Sequence, residues 1–319
     1  MNKFLLILPL VCLLAAQCQP STPTPPPTPS LSPTPRLIAP ITRGDGSDLM
    51  DRLLDQGVIR VGIRVWPGAE FSPPAFRGFS NAKTGGALNG FEVDIAHHIA
   101  DGLGLELELV EAYPPVIANG DWRGEWDIAI ASLTPFDQPP DGLVFSSPYG
   151  YIPLAVLIPA TSNLEGFNNL SGKRVGVLAH SDYERLLNPA DSSLTVAGQP
   201  LLPALPEKIQ VIPVSNLLKA VHELGDPTNS PEPPLEAIFG PAPIFREAVK
   251  SGLAVKLAPQ TQNVGVQPLA IAIVPQDNLK TSRLLAEIDK ILVRLQRQGD
   301  LAEIYLRWYG QDLSQPPPP

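Results

Sequence analysis

The sequence predicts an α/β fold in two lobes with mostly parallel sheets. Strand and helix signals alternate along the chain, the pattern of βα units rather than of an all-α or all-β domain. The region between the Pro-rich ends holds roughly 270 residues, about the limit of one compact core, and so divides into two bodies of roughly 100 to 160 residues each. Both cysteines, Cys12 and Cys18, fall near the N-terminus. The globular part therefore has neither a disulfide nor a thiol ligand, and burial alone must hold it together.

The elements follow in order. Ile59-Arg60-Val61-Gly62-Ile63 is the first strand, and the helix that begins near Glu92 stops at Gly102 or Gly104. From Leu105 to Leu109 apolar and acidic residues alternate. This spacing puts Glu106 and Glu108 on the solvated face of a strand, not in an acid/base couple. Asp127 to Ile130 is a short buried strand leading to the loop Ser132-Leu133-Thr134, and Tyr151 to Ile158 is β-rich with prolines in and after it. A strand at Arg174 to Leu178, a helix start at Ser181-Asp182 and a strand at Ile209 to Ile212 come next. A helix through Leu217, Leu218, Val221 and Leu224 then precedes strands at Ala237 to Phe239 and Ala270 to Val274. From Thr281 onward, Leu284, Leu285, Ile288, Ile291, Leu292 and Leu295 recur at helical spacing, and after Gly299 so do Leu301, Ile304, Tyr305 and Trp308. Asp226 to Pro234 has the composition of a surface loop.

The ends read differently from the middle. Met1 to Lys3 precede an apolar run of about thirteen residues ending at Ala16, the size of a signal-peptide core and shorter than the ~20 residues of a spanning helix. Leu14-Ala15-Ala16-Gln17-Cys18 resembles a bacterial lipoprotein box in which Cys18 carries the lipid. Gln17 stands where that motif prefers a small residue, and ordinary secretion or an uncleaved anchor is the alternative. Residues 1–18 are expected to be this leader, 19–46 a Pro/Ser/Thr-rich tether able to extend in polyproline form, and 313–319 a disordered tail. Arg43-Gly44-Asp45 reads as a turn. A net charge of −9 with no Lys/Arg cluster argues against nucleic-acid binding. His97 and His98 are helical neighbours facing different directions and make no metal pair; no cofactor is expected.

Several fragments in a fixed order carry a family resemblance. Asn89-Gly90-Phe91-Glu92-Val93-Asp94 opens a helix. Trp126 to Ala129, Ser132 to Pro135, Val144 to Tyr149 and Leu170 to Val177 follow, and Ala302-x-x-Tyr305-x-x-Trp308-Tyr309-Gly310 closes the chain. In this order the chain resembles the bacterial extracellular solute-binding proteins of the polar-amino-acid type, family 3, in lipoprotein form. The resemblance implies a type II periplasmic-binding-protein-like fold, with lobe 1 at 47–152 and 268–312, lobe 2 at 153–267, two hinge crossings and a ligand cleft between the lobes. It implies a monomer that captures a small polar, amino-acid-like molecule outside the cytoplasm for an ABC permease and catalyses nothing. A ligand-sensing or divergent non-transport domain is the alternative, followed by a dehydratase-type enzyme on the same fold.

The same resemblance locates a cleft. Its ligand-facing loops would supply Arg64, Trp66, Phe71, Ser132, Thr134 and Ser181: a basic residue after the first strand, an aromatic wall, two hydroxyls and a helix cap whose N–H groups suit an anion. Arg64 is also readable as a solvated strand-end residue, Trp66 and Phe71 equally as packing residues, and Phe76 as core. Two ionic anchors of the family are absent. Its carboxylate-binding Arg is replaced by Asp137 or Pro139, depending on the direction of counting, and its ammonium-binding Asp by Pro241. Neutral α-amino acids are therefore expected to bind weakly; if Arg64, where the family's acidic-amino-acid binders carry a basic residue, takes over the carboxylate, an acidic amino acid is the expected survivor. Asp137 and Glu70 either favour a cationic ligand or are solvated carboxylates.

Overall fold

The computed structural model describes residues 41–78, 86–140, 142–188, 191, 194–226, 228, 233–260 and 264–317. The expected leader, the candidate lipidation site Cys18 and the tether up to residue 40 lie outside them. The last tether residues are docked rather than extended. Gly44 and Gly46 donate their N–H groups to the Asp51 carboxylate at 2.6 and 3.0 Å, and Arg283 reaches the same carboxylate.

The first half of the chain contains α1 (Leu49–Gln56), β1 (Val58–Ile63), β2 (Phe76–Arg77), β3 (Leu88–Asn89), α2 (Phe91–Leu103), β4 (Glu106–Glu111), α3 (Pro114–Asn119), β5 (Ile128–Leu133), β6 (Val144–Phe145) and β7 (Gly150–Pro159). After a 3-10 turn come β8 (Arg174–Leu178), α4 (Asp182–Leu187), β9 (Thr195–Val196), β10 (Gln199–Pro200), β11 (Gln210–Val214), α5 (Leu217–Gly225), β12 (Ala237–Pro241), α6 (Ala242–Lys250) and β13 (Val255–Leu257). The chain finishes with β14 (Val266–Ile273), α7 (Ser282–Gln298) and α8 (Asp300–Tyr309).

One sheet runs β11-β8-β12-β7-β14-β5-β1-β4. Strands β4, β1 and β5 are parallel, as are β11, β8 and β12, the arrangement expected of βα units. Two antiparallel strands join these halves. β7 pairs with β14 through Gly150 to Pro153 opposite Leu269 to Val266, then with β12 through Leu154 to Leu157. The chain thus passes from one half to the other and back along a single ribbon. β5 runs on through Ser132 and Leu133 instead of stopping at Ile130, because Ala270 of β14 pairs with Leu133.

Burial follows this division. One core gathers Leu49, Ile59, Phe91, Ile95, Ile128, Ile271, Leu284, Ile288, Leu295, Leu301 and Tyr305; the other gathers Leu157, Val175, Val177, Leu187, Val221, Ile238 and Phe245. The helical stripe of α7 and α8 packs entirely within the first, and Gly299, in the left-handed region at φ 85°, breaks the two helices apart. Glu106 and Glu108 are exposed on β4, as alternation requires. The tail begins later than residue 313. Leu313 and Ser314 are 3 % and 2 % exposed, because the Leu313 carbonyl accepts from Tyr151 N–H at 2.8 Å and Ser314 is held by Asp312 and Gln296.

Two glycines explain motif positions. Gly90, at φ 135°, lies so close to Pro74 that a β-carbon would sit 2.0 Å from its carbonyl oxygen, which sets the entry to α2. At Gly150 a β-carbon would meet the Tyr305 hydroxyl at 1.8 Å, so the crossing strand can pass α8 only without a side chain.

Asp48 caps two helices at once. It accepts from Met50 N–H in α1 and from Arg283 and Leu284 N–H in α7, while 5 % exposed. Asp48→Ala is expected to lower stability by about 2 kcal/mol, twice the usual single-cap value. Urea denaturation checks this, and a loss no larger than one cap's worth would show that the two ends are not both held.

Candidate ligand cleft

The carboxyl ends of β1 and β5 face the carboxyl end of β8 across a cavity of about 240 Å³. Such crevices outside the strand ends are where ligands bind in open α/β sheets. The first half contributes Arg64 and Trp66 after β1, Glu92 of α2, the α3 wall of Pro114, Pro115, Ile117 and Ala118, and Ala131 to Leu133 of β5. The second contributes Leu178 and the segment His180 to Arg185, with α4. Ser132 and His180 occupy the left-handed region at φ 52° and 54°, an uncommon conformation for residues with side chains, and so both rims hold strained backbone.

Arg64 spans the cleft. Its guanidinium donates to the carbonyls of Ala179 and His180 at 2.9 and 3.1 Å, and burial pulls its pKa down to about 10, so it stays charged at neutral pH. Trp66 is 6 % exposed, with its backbone N–H bonded to the Ala75 carbonyl. Ser132 gives both its N–H and its hydroxyl to Glu92, at 2.5 and 2.8 Å. Ser181 caps α4 by accepting from Glu184 N–H, while its hydroxyl donates to Leu178. The anion-binding capacity of that helix start is met by its own acids: Glu184 accepts from His180 N–H at 2.6 Å.

Two of the expected ligand contacts point elsewhere. Thr134 is 1 % exposed; its N–H goes to Asp182 of the other half at 2.7 Å and its hydroxyl accepts from Gln267 at 2.9 Å, leaving nothing for the cavity. Phe71, at 7 % exposure, packs with the second core and lies 5.6 Å from the His222 ring. Position along a loop does not reveal that the opposite lobe covers them.

The two candidate anions are also committed. Asp137 accepts from the Thr195 hydroxyl and from Ala197 and Gly198 N–H at 2.6 to 2.9 Å, and the Thr195 bond leads in holding its carboxyl below the usual range. Glu70 faces His222 Nε2 at 2.8 Å. Both contacts tie the lobes together outside the cavity. Pro139 lines a separate small recess with Phe136 and Arg185, and Pro241 ends β12.

Glu92, Asp182 and Arg185 also form the wall, although the family resemblance does not place them in the cleft. Glu92 is 1 % exposed, and burial, outweighing its hydrogen bonds to Ser132 and Tyr149, pushes its pKa up to about 7. Asp182 is likewise raised by burial, although it accepts from Thr134 and pairs with Arg185, whose guanidinium stacks 4.7 Å over Phe136. The signal for Glu92 was present: an acid between Phe91 and Val93, at the start of an apolar helix, is on the buried side. Among the described residues no His, Cys, Asp or Glu cluster is arranged to hold a metal ion.

Two lobes, two crossing strands and a polar-rimmed cavity between them define a two-lobed solute-binding protein. Residues 71–311 match the bacterial extracellular solute-binding proteins, family 3, and the chain belongs to that family. It is similar to a probable amino-acid ABC transporter-binding protein of Haemophilus influenzae, 20 % identical over 279 residues covering 87 % of this chain and 95 % of that one. It is also similar to the L-cystine-binding protein TcyJ of Escherichia coli strain K12, 23 % identical over 272 residues covering 83 % and 88 %. Among solved structures, an amino acid ABC transporter substrate-binding protein from Streptococcus pneumoniae bound to L-arginine superposes with a TM-score of 0.62 at 17 % identity, covering 83 % of this chain and 99 % of that one. The chain is thus a solute-binding protein of the amino-acid ABC transporter family, with the type II two-lobed fold.

Proposed function

We propose that this protein captures a small polar, amino-acid-like molecule between its lobes and presents it to an ABC permease without chemical change. The observation that carries the reading is the cavity walled by Arg64, Trp66, Ser132 and Ser181 at the meeting strand ends. Hinge closure over a ligand, with release to the permease on opening, is the motion that two crossing strands allow. Lobe 1 is taken as 47–152 with 268–312 and lobe 2 as 153–267, a division supported by the two separate cores. The protein works as a monomer outside the cytoplasm, held to the membrane by a lipid on Cys18. Capture without turnover is the role of the family to which the chain belongs.

A thermal-shift screen across amino acids, polyamines, sugars and organic acids tests the capture. A ligand at a hundred times its Kd stabilises by about 2.7 kcal/mol, a readily measured shift. If no compound in the screen raises the melting temperature, the solute-binding reading of this cavity fails. Within the same screen, neutral α-amino acids such as leucine and glutamine are expected to bind more weakly than micromolar. Asp137 is committed to the 195–198 hairpin and Pro241 has no charge, so neither of the family's ionic anchors meets the zwitterion. Each such anchor is worth on the order of 2 to 5 kcal/mol by truncation, and micromolar binding of leucine or glutamine in calorimetry would refute the claim.

A further inference from the structure

The first lobe reaches into the second at two places built alike. After β1, Glu70 and Phe71 stand side by side: Phe71 sinks into the second core, and Glu70 lies 2.8 Å from His222 Nε2 on α5. After β5, Phe136 and Asp137 stand side by side. Phe136, 4 % exposed, joins the same core beneath the Arg185 guanidinium. Asp137 accepts from the Thr195 hydroxyl and from Ala197 and Gly198 N–H, and its own N–H donates to the Thr195 carbonyl. Each contact is an aromatic plug beside a carboxylate that grips the opposite lobe. Phe71 and Ser72 keep φ of 62° and 52°, a conformation costly for residues with side chains, which persists only where the surrounding packing enforces it.

We infer that these two clasps hold the lobes together by themselves, so that the closed form predominates before any solute is bound and a solute enters through brief openings. Glu70, Phe71, Phe136 and Asp137 all lie outside the cavity wall, and their bonds are the same whether or not the cavity is filled. Opening must draw two buried rings into water together, which opposes it through the hydrophobic effect. It must also break the charge-assisted bonds of Asp137 to the hairpin. Between the clasps, Arg64 donates to the Ala179 and His180 carbonyls and Thr134 N–H to Asp182, further bonds from lobe to lobe that need no solute. A ligand shifts a two-state equilibrium only by its differential affinity for the two states. Here the chain itself supplies the larger part of the closing free energy. The clasps concern closure and not the identity of the solute, and they stand apart from the capture reading above.

Hydrogen exchange of the full chain tests this, read amide by amide by NMR on protein unfolded and refolded to strip any carried solute. The N–H groups of Thr134, Ala197 and Gly198 donate across the lobes, so parting of the lobes exposes them. In the solute-free wild type they are expected to be protected at least about a hundredfold. Phe71→Ala acts at the clasp remote from Ala197 and Gly198, and should speed exchange at those two amides at least about tenfold while amides within β1 and β8 keep their wild-type rates. Glu70→Gln, a change at an exposed side chain, should act in the same direction by about threefold and decides the matter if Phe71→Ala misfolds. Wild-type Ala197 and Gly198 amides that exchange as fast as an unstructured chain overturn the clasps. So does a folded variant that speeds exchange only beside the substituted residue, because the 195–198 hairpin would then open on its own. Either result leaves the solute-binding reading intact, which the ligand screen decides separately.

Discussion

Asp127→Ala is expected to destabilise the protein by about 3 to 5 kcal/mol, the usual cost of removing one partner from a buried ion pair. Asp127 is fully buried at the start of β5 and accepts from Arg60 N–H at 2.8 Å, from Arg60 Nη2 at 2.7 Å and from Arg52 Nη2 at 3.0 Å. It therefore fixes both α1 and β1 against β5. The two guanidiniums have other contacts, Arg60 with the Gly124 carbonyl and Arg52 with Gln276 and the exposed Asp277, but among the described residues no second buried acid pairs with them. Removal leaves two partly covered cations facing a cavity. Since whole domains are stable by only about 5 to 15 kcal/mol, the variant should unfold at markedly lower urea. A shift worth less than 1 kcal/mol would mean that water or the backbone replaces the carboxylate.

A second large effect should appear in the pH dependence of stability. Burial raises the Glu92 pKa from its ordinary 4.5 to about 7, so the unfolded chain ionises first as pH rises. Folding is then favoured most below pH 4.5, loses ground as pH climbs towards 7, and stays lower above it. Integrated between pH 5 and pH 8, this single group should cost about 2 to 3 kcal/mol. The charged and titratable groups around it are Arg64, which works against the shift, and Tyr149, Tyr183, Tyr305 and Tyr309, which burial moves still further above this range. Stability of the wild type relative to Glu92→Gln, measured by urea denaturation at both pH values, isolates the contribution. A difference that does not change with pH would show that Glu92 is ionised at its ordinary pKa in the fold.

The alternation of elements and the helical stripe from Leu284 to Trp308 were legible because each is a local periodicity, and periodicity survives without knowledge of partners. The crossing strands were legible only through the family resemblance, which places a crossing at the β-rich run Tyr151 to Ile158 and the return near Val264 to Leu269. Within the site, Arg64, Trp66, Ser132 and Ser181 were found by position and all line the cavity. Thr134 lies outside the cavity wall and Phe71 takes its packing role, because what covers them, Asp182 and His222, lies in the other lobe, far along the chain. Asp127 shows the same limit. It stands at the head of a run read as buried, unlike the alternating acids of β4, but only the approach of Arg52 and Arg60 reveals that it is an ionic junction. Glu92 stood inside the most recognisable motif of the sequence, yet its raised pKa is a property of the packed fold.

The chain has four tryptophans, and they are unevenly placed. Trp122 and Trp126 lie against each other at 1 % exposure, and Trp308 is tied to Asp94 by a 2.6 Å bond from its indole nitrogen. Trp66 alone lines the cavity, its ring buried among residues of the opposite lobe. Separation of the lobes would wet one indole and leave the other three in unchanged surroundings. The protein therefore carries an optical reporter of its own cleft: a red shift in intrinsic emission marks opening, a blue shift marks closure, and no dye or label is needed to follow either in real time.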